Sequence, residues 1–133
     1  MTRSHAASAV SPAVVTLLRV LAALSVLIIV VQGVTAGEML SRSETAGALH
    51  ASGAIVTHVL TGLTAVAAFL VVRATRGPWW PLAVAVLLFV ATFLQAALGS
   101  GGVMGVHVPL AMVCLVAAVC VLAWSFVVGR TRA

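Results

Sequence analysis

Four long apolar stretches, separated by segments too short to hold a domain of their own, restrict this chain to one kind of environment. They run approximately from Val15 to Ala36, Ala48 to Val72, Trp79 to Leu98 and Val103 to Val128. Each comes close to the ~20 residues that a helix needs to cross the hydrocarbon core of a bilayer. A soluble domain would have to cover such stretches with a polar shell, and this chain lacks the residues to build one. Only 7% of its residues are charged, against roughly a quarter in an ordinary soluble domain. The expected fold is all-α: one integral membrane domain spanning 1–133, a bundle of four transmembrane helices running up-down-up-down, with the lipid bilayer as its main partner.

The formal charge of +5 comes from seven arginines against two glutamates. In a soluble chain that balance would suggest nucleic acid, but the placement of the arginines points to a membrane, and no nucleic-acid partner is expected. Arg3, Arg73, Arg76, Arg130 and Arg132 fall in the N-terminal tail, the second loop and the C-terminal tail; Arg42 alone lies in the first loop, and the third loop has none. The positive-inside rule then puts both termini in the cytoplasm, in a bacterial-type inner or plasma membrane crossed several times. Arg19, early in the first span, is expected to snorkel to the inner interface. Trp79 and Trp80, between Pro78 and Pro81, suit an aromatic anchor at the start of the third helix. The first apolar stretch is too long for a cleaved signal peptide despite the small-residue sequence Val34-Thr35-Ala36. Cys114 and Cys120 lie six residues apart on one helix and so point to different faces, which leaves them as small core residues rather than a disulfide or metal pair.

Serine, threonine and glycine mark a first loop from Gly37 to Gly47, and Gly99-Ser100-Gly101-Gly102 reads as a tight turn that makes the third and fourth helices neighbours. A faint repeat relates the two hairpins. Gln32 precedes a glycine-bearing loop and His50, while Gln95 precedes Gly99 and His107. Two similar parallel hairpins imply a pseudo-twofold axis along the membrane normal, with helices two and four facing each other across it.

Ionisable groups inside a membrane are costly and usually face the bundle interior, so His50, His58 and His107 are the first candidates for chemistry. His50 stands 23 residues before Arg73, and His107 stands 23 residues before Arg130. On parallel helices that equal spacing puts both imidazoles at one depth, near the outer surface. Two histidines at one level on facing helices are what bis-histidine ligation of a heme requires. Gly47 and Ala54, one turn either side of His50, and Ala111, one turn after His107, are small enough to leave a slot for a flat macrocycle. His58, eight residues after His50, lies roughly 12 Å deeper and is turned by about 80°. It still falls on the interior half of the helix, where it could line the pocket, carry a proton, or replace His50 as ligand to the iron.

Competing readings of these residues are blander. Histidines between helices also serve as hydrogen-bonding groups to hydroxyl or carbonyl oxygens. A zinc site is less attractive, because structural zinc takes four ligands and catalytic zinc three, and the third histidine is at another depth. His5 belongs to the N-terminal tail. Arg42, flanked by Glu38 and Glu44, is either a partner for a heme propionate or simply solvated. Gln32 and Gln95 suit caps or interhelical hydrogen bonds, and Ser52, Thr57, Thr61 and Thr64 can bond back to their own helix. Met104 is a conceivable axial ligand, though packing is its usual role. Without Asp, Lys, a Ser/His/Asp set or a phosphate loop, most hydrolytic and Schiff-base chemistry is excluded.

The segment Phe93-Leu94-Gln95-Ala96-Ala97-Leu98-Gly99, followed by Gly105-Val106-His107-Val108-Pro109-Leu110-Ala111, resembles the end of one hairpin of the heme A synthases. In that family a Leu-Gln-x-x-x-Gly stretch leads into a helix that begins with a heme-ligand histidine. Val31-Gln32-Gly33 with Leu49-His50 resembles the partner hairpin. The resemblance spans most of this chain but only one four-helix half of an enzyme built from two. It implies that His50 and His107 are the two axial ligands of one heme. It does not imply synthase activity, which needs one half for substrate and another for cofactor, so no independent catalytic activity is expected.

The sequence therefore leads to a membrane protein binding one heme b between helices two and four, for electron transfer or heme handling, with a redox partner or a larger membrane complex beside it. A heme-free accessory subunit of such a complex and a small dimeric transporter are the alternatives. Small-residue faces around Gly62, Ala65 and Ala68 would also serve a homo-oligomer.

Overall fold

The computed structural model describes residues 11–41 and 43–128, and its regular structure is helical throughout. Four helices follow one another: α1 Pro12–Leu40, α2 Ala46–Thr75, α3 Trp80–Ser100 and α4 Met104–Val127. All four are long and apolar enough to cross a membrane. Each packs on its neighbours in chain order, and α1 closes the ring against α4; α2 and α4 stand diagonally across the bundle, as do α1 and α3. This is the up-down-up-down arrangement of two similar hairpins.

The element ends differ from the expected spans in instructive places. α1 continues past Ala36 through Gly37, Glu38, Met39 and Leu40, because three good helix formers follow the one glycine and outweigh its cost. The first loop accordingly shrinks to the residues between Leu40 and Ala46. α3 likewise runs through Gly99 and Ser100, and the turn is made by Gly101, Gly102 and Val103, with Gly102 at φ +71°. Pro12 and Pro81 stand in the first turns of α1 and α3, where a missing N–H leaves no helix bond unmade. α2 ends on Arg76 in the left-handed conformation, φ 50°.

Lipid cannot drive helices together by the hydrophobic effect, so association rests on close packing and interhelical hydrogen bonds. Ala22, Ala67, Ala68 and Ala85 are almost wholly buried and let the helices approach closely around Leu18, Val71, Val72, Val121 and Trp124. A second, smaller cluster of Leu88, Cys114 and Ala118 sits nearer the middle. Ser25 and Thr64 share a buried hydrogen bond of 3.0 Å between α1 and α2. Arg19 donates from Nε to the Ser125 carbonyl at 3.1 Å and lies over the Phe126 ring; its charge is held at the end of α4, close to where snorkelling would bring it. The two ends of the bundle can be named from their side chains: a histidine end, holding His50 and His107, and an arginine end, holding Arg19, Arg73 and Arg76. Arg3, His5, Arg42, Arg130 and Arg132 lie outside the described residues.

Candidate functional site

The interior face of α2 carries His50, Thr57, Thr64 and Val71 at intervals of seven residues, and that of α4 carries His107, Cys114 and Val121 at the same interval. Seven residues are nearly two full turns, so each set forms one column along its helix. Thr57, Thr64, Val71, Cys114 and Val121 are all buried, which means the two columns look into the bundle. The histidines at the head of each column look the same way. Their ring centroids are 6.4 Å apart, with the planes at 62°.

Each ring is anchored by a hydrogen bond through Nδ1. His107 Nδ1 is 2.9 Å from the backbone carbonyl of Gln95; a carbonyl only accepts, so the proton is on Nδ1. His50 Nδ1 is 3.0 Å from the Thr35 hydroxyl. That hydroxyl also has the Gln32 carbonyl at 3.1 Å and Gln32 Oε1 at 3.3 Å within reach, so it bridges His50 and Gln32 with a single proton that either neighbour can take. Gln32 in turn donates from Nε2 to the His50 carbonyl at 3.0 Å, tying α1 to α2 at this level. His107 is thereby set in the Nδ1–H tautomer, and both rings are anchored through Nδ1 with Nε2 outside any hydrogen bond among the described residues. A metal-binding histidine is commonly held in this way, its second nitrogen donating to a carbonyl or similar acceptor that fixes the ring. The pseudo-twofold relation extends to these supports, since each histidine leans on the preceding helix of its own hairpin.

Gly99 explains part of the sequence pattern in the second hairpin. A Cβ placed there would stand 3.0 Å from His107 Cε1 and 3.3 Å from Nδ1, so the ring packs directly on the α3 backbone one turn beyond the carbonyl it bonds. The spacing Gln95 to Gly99 thus supplies a hydrogen bond and a gap on one face of α3. Pro109 deprives the Gly105 carbonyl of its usual donor one turn on. The side-chain Oε1 of Gln95 is buried with no hydrogen-bond partner among the described residues, so the polar groups at this end are not closed among themselves. His50, Ala54, His107 and Ala111 are only half-buried although they lie on interior faces. Gly47 is half-buried as well, with open space where a Cβ would stand.

His58 belongs elsewhere. Its Nδ1 is 2.9 Å from the Thr92 hydroxyl, which gives its own proton to the Phe89 carbonyl at 2.7 Å, and its ring stacks on Phe93 at 4.2 Å between centroids. Phe93 is half exposed. The rotation of about 100° per residue carries His58 off the column of His50 and Thr57 onto the seam between α2 and α3, rather than into the interior beside His107. The structure therefore brings His50 and His107 together and keeps His58 with α3. Met104 is largely exposed. Cys114 is buried as a core residue, but Cys120 is exposed and not in the core, because six residues turn it to a different face of α4. Ser52, Thr57, Thr61 and Thr64 all bond back to carbonyls of their own helix.

A heme iron held by two imidazoles sets their spacing. A metal lies about 2 Å from a ligating imidazole nitrogen, and the ring centre is roughly 1 Å behind that nitrogen, so two trans imidazoles on one metal have centroids on the order of 6 Å apart. The observed 6.4 Å between centroids and the anchoring of both rings through Nδ1 fit that requirement. Among the described residues no three His, Cys, Asp or Glu side chains converge as a metal cluster would need. No protein-family model, curated protein or solved structure matches this chain.

Proposed function

We propose that this chain is a membrane protein that binds one b-type heme through His50 and His107, for electron transfer or heme handling. The observation that carries the proposal is the pair of imidazoles with centroids 6.4 Å apart, each anchored through Nδ1 with Nε2 outside any hydrogen bond among the described residues. When bound, the heme would supply the one-electron redox chemistry. The chain's own residues would do the rest. His50 and His107 would hold the iron from two diagonal helices, Thr35 and the Gln95 carbonyl would orient the rings, and the small side chains of Gly47, Ala54 and Ala111 would leave room for the macrocycle. Sidedness follows from charge placement, with the arginine end cytoplasmic and the histidine end at the outer face of a bacterial-type membrane.

One observation favours a second reading, a heme-free accessory subunit. All three membrane histidines already make interhelical or inter-element hydrogen bonds, and a purely structural role would ask for nothing more. Purification from heme-replete cells separates the two. A Soret band with the sharp reduced α-band of a six-coordinate, low-spin iron supports ligation, whereas colourless, folded protein that cannot be reconstituted with hemin supports the subunit.

A further inference from the structure

The seam between α2 and α3, away from the His50 and His107 pair, holds a polar group in place without using it up. His58 stands two to three residues from the midpoint of α2, about 4 Å along the axis, so it lies well inside a hydrocarbon core ~30 Å thick. Its ring is fixed on two sides. Nδ1 meets the Thr92 hydroxyl at 2.9 Å, and the ring stacks on Phe93 with 21° between the planes. Phe93 is itself set against Phe89 at 5.1 Å, and Phe89 occupies space that a side chain on residue 62 would need, since a Cβ on Gly62 would stand 3.0 Å from its ring. Nε2 of His58 has no hydrogen-bond partner among the described residues, yet the only buried side-chain nitrogen or oxygen there without a partner is Gln95 Oε1. His58 Nε2 therefore opens on the protein surface. The side chains around it, Phe93 and Ile55, are 50% and 65% exposed, so that surface adjoins acyl chains.

A polar atom turned toward lipid has no water to bond and is costly there. We propose that His58 Nε2 is the binding point for a membrane-dissolved quinone or hydroquinone, whose ring oxygen bonds to this nitrogen while its ring lies beside the exposed part of Phe93. Depth selects the class of ligand. Lipid headgroups and ester carbonyls stay near the interface, whereas a quinone head is apolar enough to sit at mid-span. Thr92 lets one nitrogen serve both forms of such a carrier. With the hydroxyl proton on the Phe89 carbonyl, at 2.7 Å, Nε2 accepts from a hydroquinone hydroxyl; with that proton turned to the imidazole, Nε2 donates to a quinone carbonyl. The inference rests on the heme reading for its purpose, since it names the class of redox partner at a point roughly 12 Å below His50 along α2. The binding itself asks nothing of a heme.

The full chain is placed in phosphatidylcholine nanodiscs and given decylubiquinol or decylbenzene, which carries a ring and a decyl tail but no oxygen. Ligand retained beyond that of empty nanodiscs is measured together with the ring-nitrogen NMR signals of His58. The expected result is retention of decylubiquinol with a shift of the His58 Nε2 signal, and binding weaker on the order of tenfold in H58F, the size of one hydrogen bond between groups inside a membrane. Phenylalanine keeps a ring against Phe93; should H58F nevertheless fail to fold, decylbenzene on the unaltered protein makes the same comparison and should bind as weakly. The Soret band is recorded on the same samples. Its absence refutes the heme reading and leaves the quinol result standing, and its persistence in H58F assigns any loss to this site. Equal retention of the two compounds overturns the proposal, as does undiminished binding by H58F. A His58 Nε2 signal that shifts with the number of chains per nanodisc, and not with decylubiquinol, also overturns it and gives the nitrogen to a second copy of the chain.

Discussion

The two ends of this bundle are built on different terms. At the arginine end the interior is closed: Leu18, Ala68, Val71, Val72 and Val121 are at most 1% exposed and interlock without polar groups. At the histidine end, residues on the same interior faces stay half-buried, Ala46 is the only fully buried apolar side chain among the described residues, and the order comes from hydrogen bonds through Gln32, Thr35 and Gln95. Packing can make one end rigid at low cost because alanine and valine bring no polar groups into lipid. An end that is held by hydrogen bonds more than by packing is less stable, and it is where a bundle can accept a ligand. The contrast separates what keeps this chain folded from what it is proposed to bind.

Substitutions sharpen that contrast when ranked by their expected effect on heme occupancy. His107→Ala and His50→Ala should each abolish stable heme binding while the apo bundle keeps its helicity; His58→Ala, on the α2–α3 seam, should leave the absorbance spectrum nearly intact. Retention of a six-coordinate, low-spin spectrum by His50→Ala would reverse the ligand assignment. Gly99→Ala should weaken heme binding by about tenfold, the lower end of what loss of a ligand's support costs, because the added methyl pushes the His107 ring off its carbonyl. A hemin titration of the purified apoprotein measures it.

Thr35→Val should act similarly but more gently, loosening His50 and shifting the reduction potential, with Thr35→Ser restoring both. Redox titration followed by absorbance distinguishes this from a packing effect, which Ser would not rescue. Leu18→Ala should have the smallest effect on heme and a large one on stability, about 2–4 kcal/mol of lost packing, seen as a lower unfolding temperature in detergent with an unchanged spectrum. If Leu18→Ala also strips the heme, the two ends are not independent.

How much of this was legible beforehand differs by residue. The helices were readable because apolar length is a local property, and errors of a few residues arose where α1, α2 and α3 run on past the apolar stretch and where α1 and α2 begin before it. His50 and His107 were readable as a pair because equal spacing to an arginine carries depth on parallel helices. Thr35 passed as one of three small residues, since its pairing with His50 depends on the register between α1 and α2. Gln95 was expected to use its side chain between helices; its backbone carbonyl is what orients His107, and nothing in a sequence distinguishes a carbonyl that will be needed. His58 was assigned to the interior half because a rotation of about 80° from His50 is ambiguous until the neighbouring helix is in place.

Composition and the spacing of a few polar residues already required four membrane-spanning helices with two histidines at one level, because lipid leaves a polypeptide of this hydropathy hardly any other way to satisfy its backbone. Which histidine faces which, in what tautomer and across how wide a gap is not a property of any segment. Those features come from the ring of contacts that sets α2 diagonal to α4 and lays each histidine against the preceding helix, and contact across helices is decided when the bundle closes.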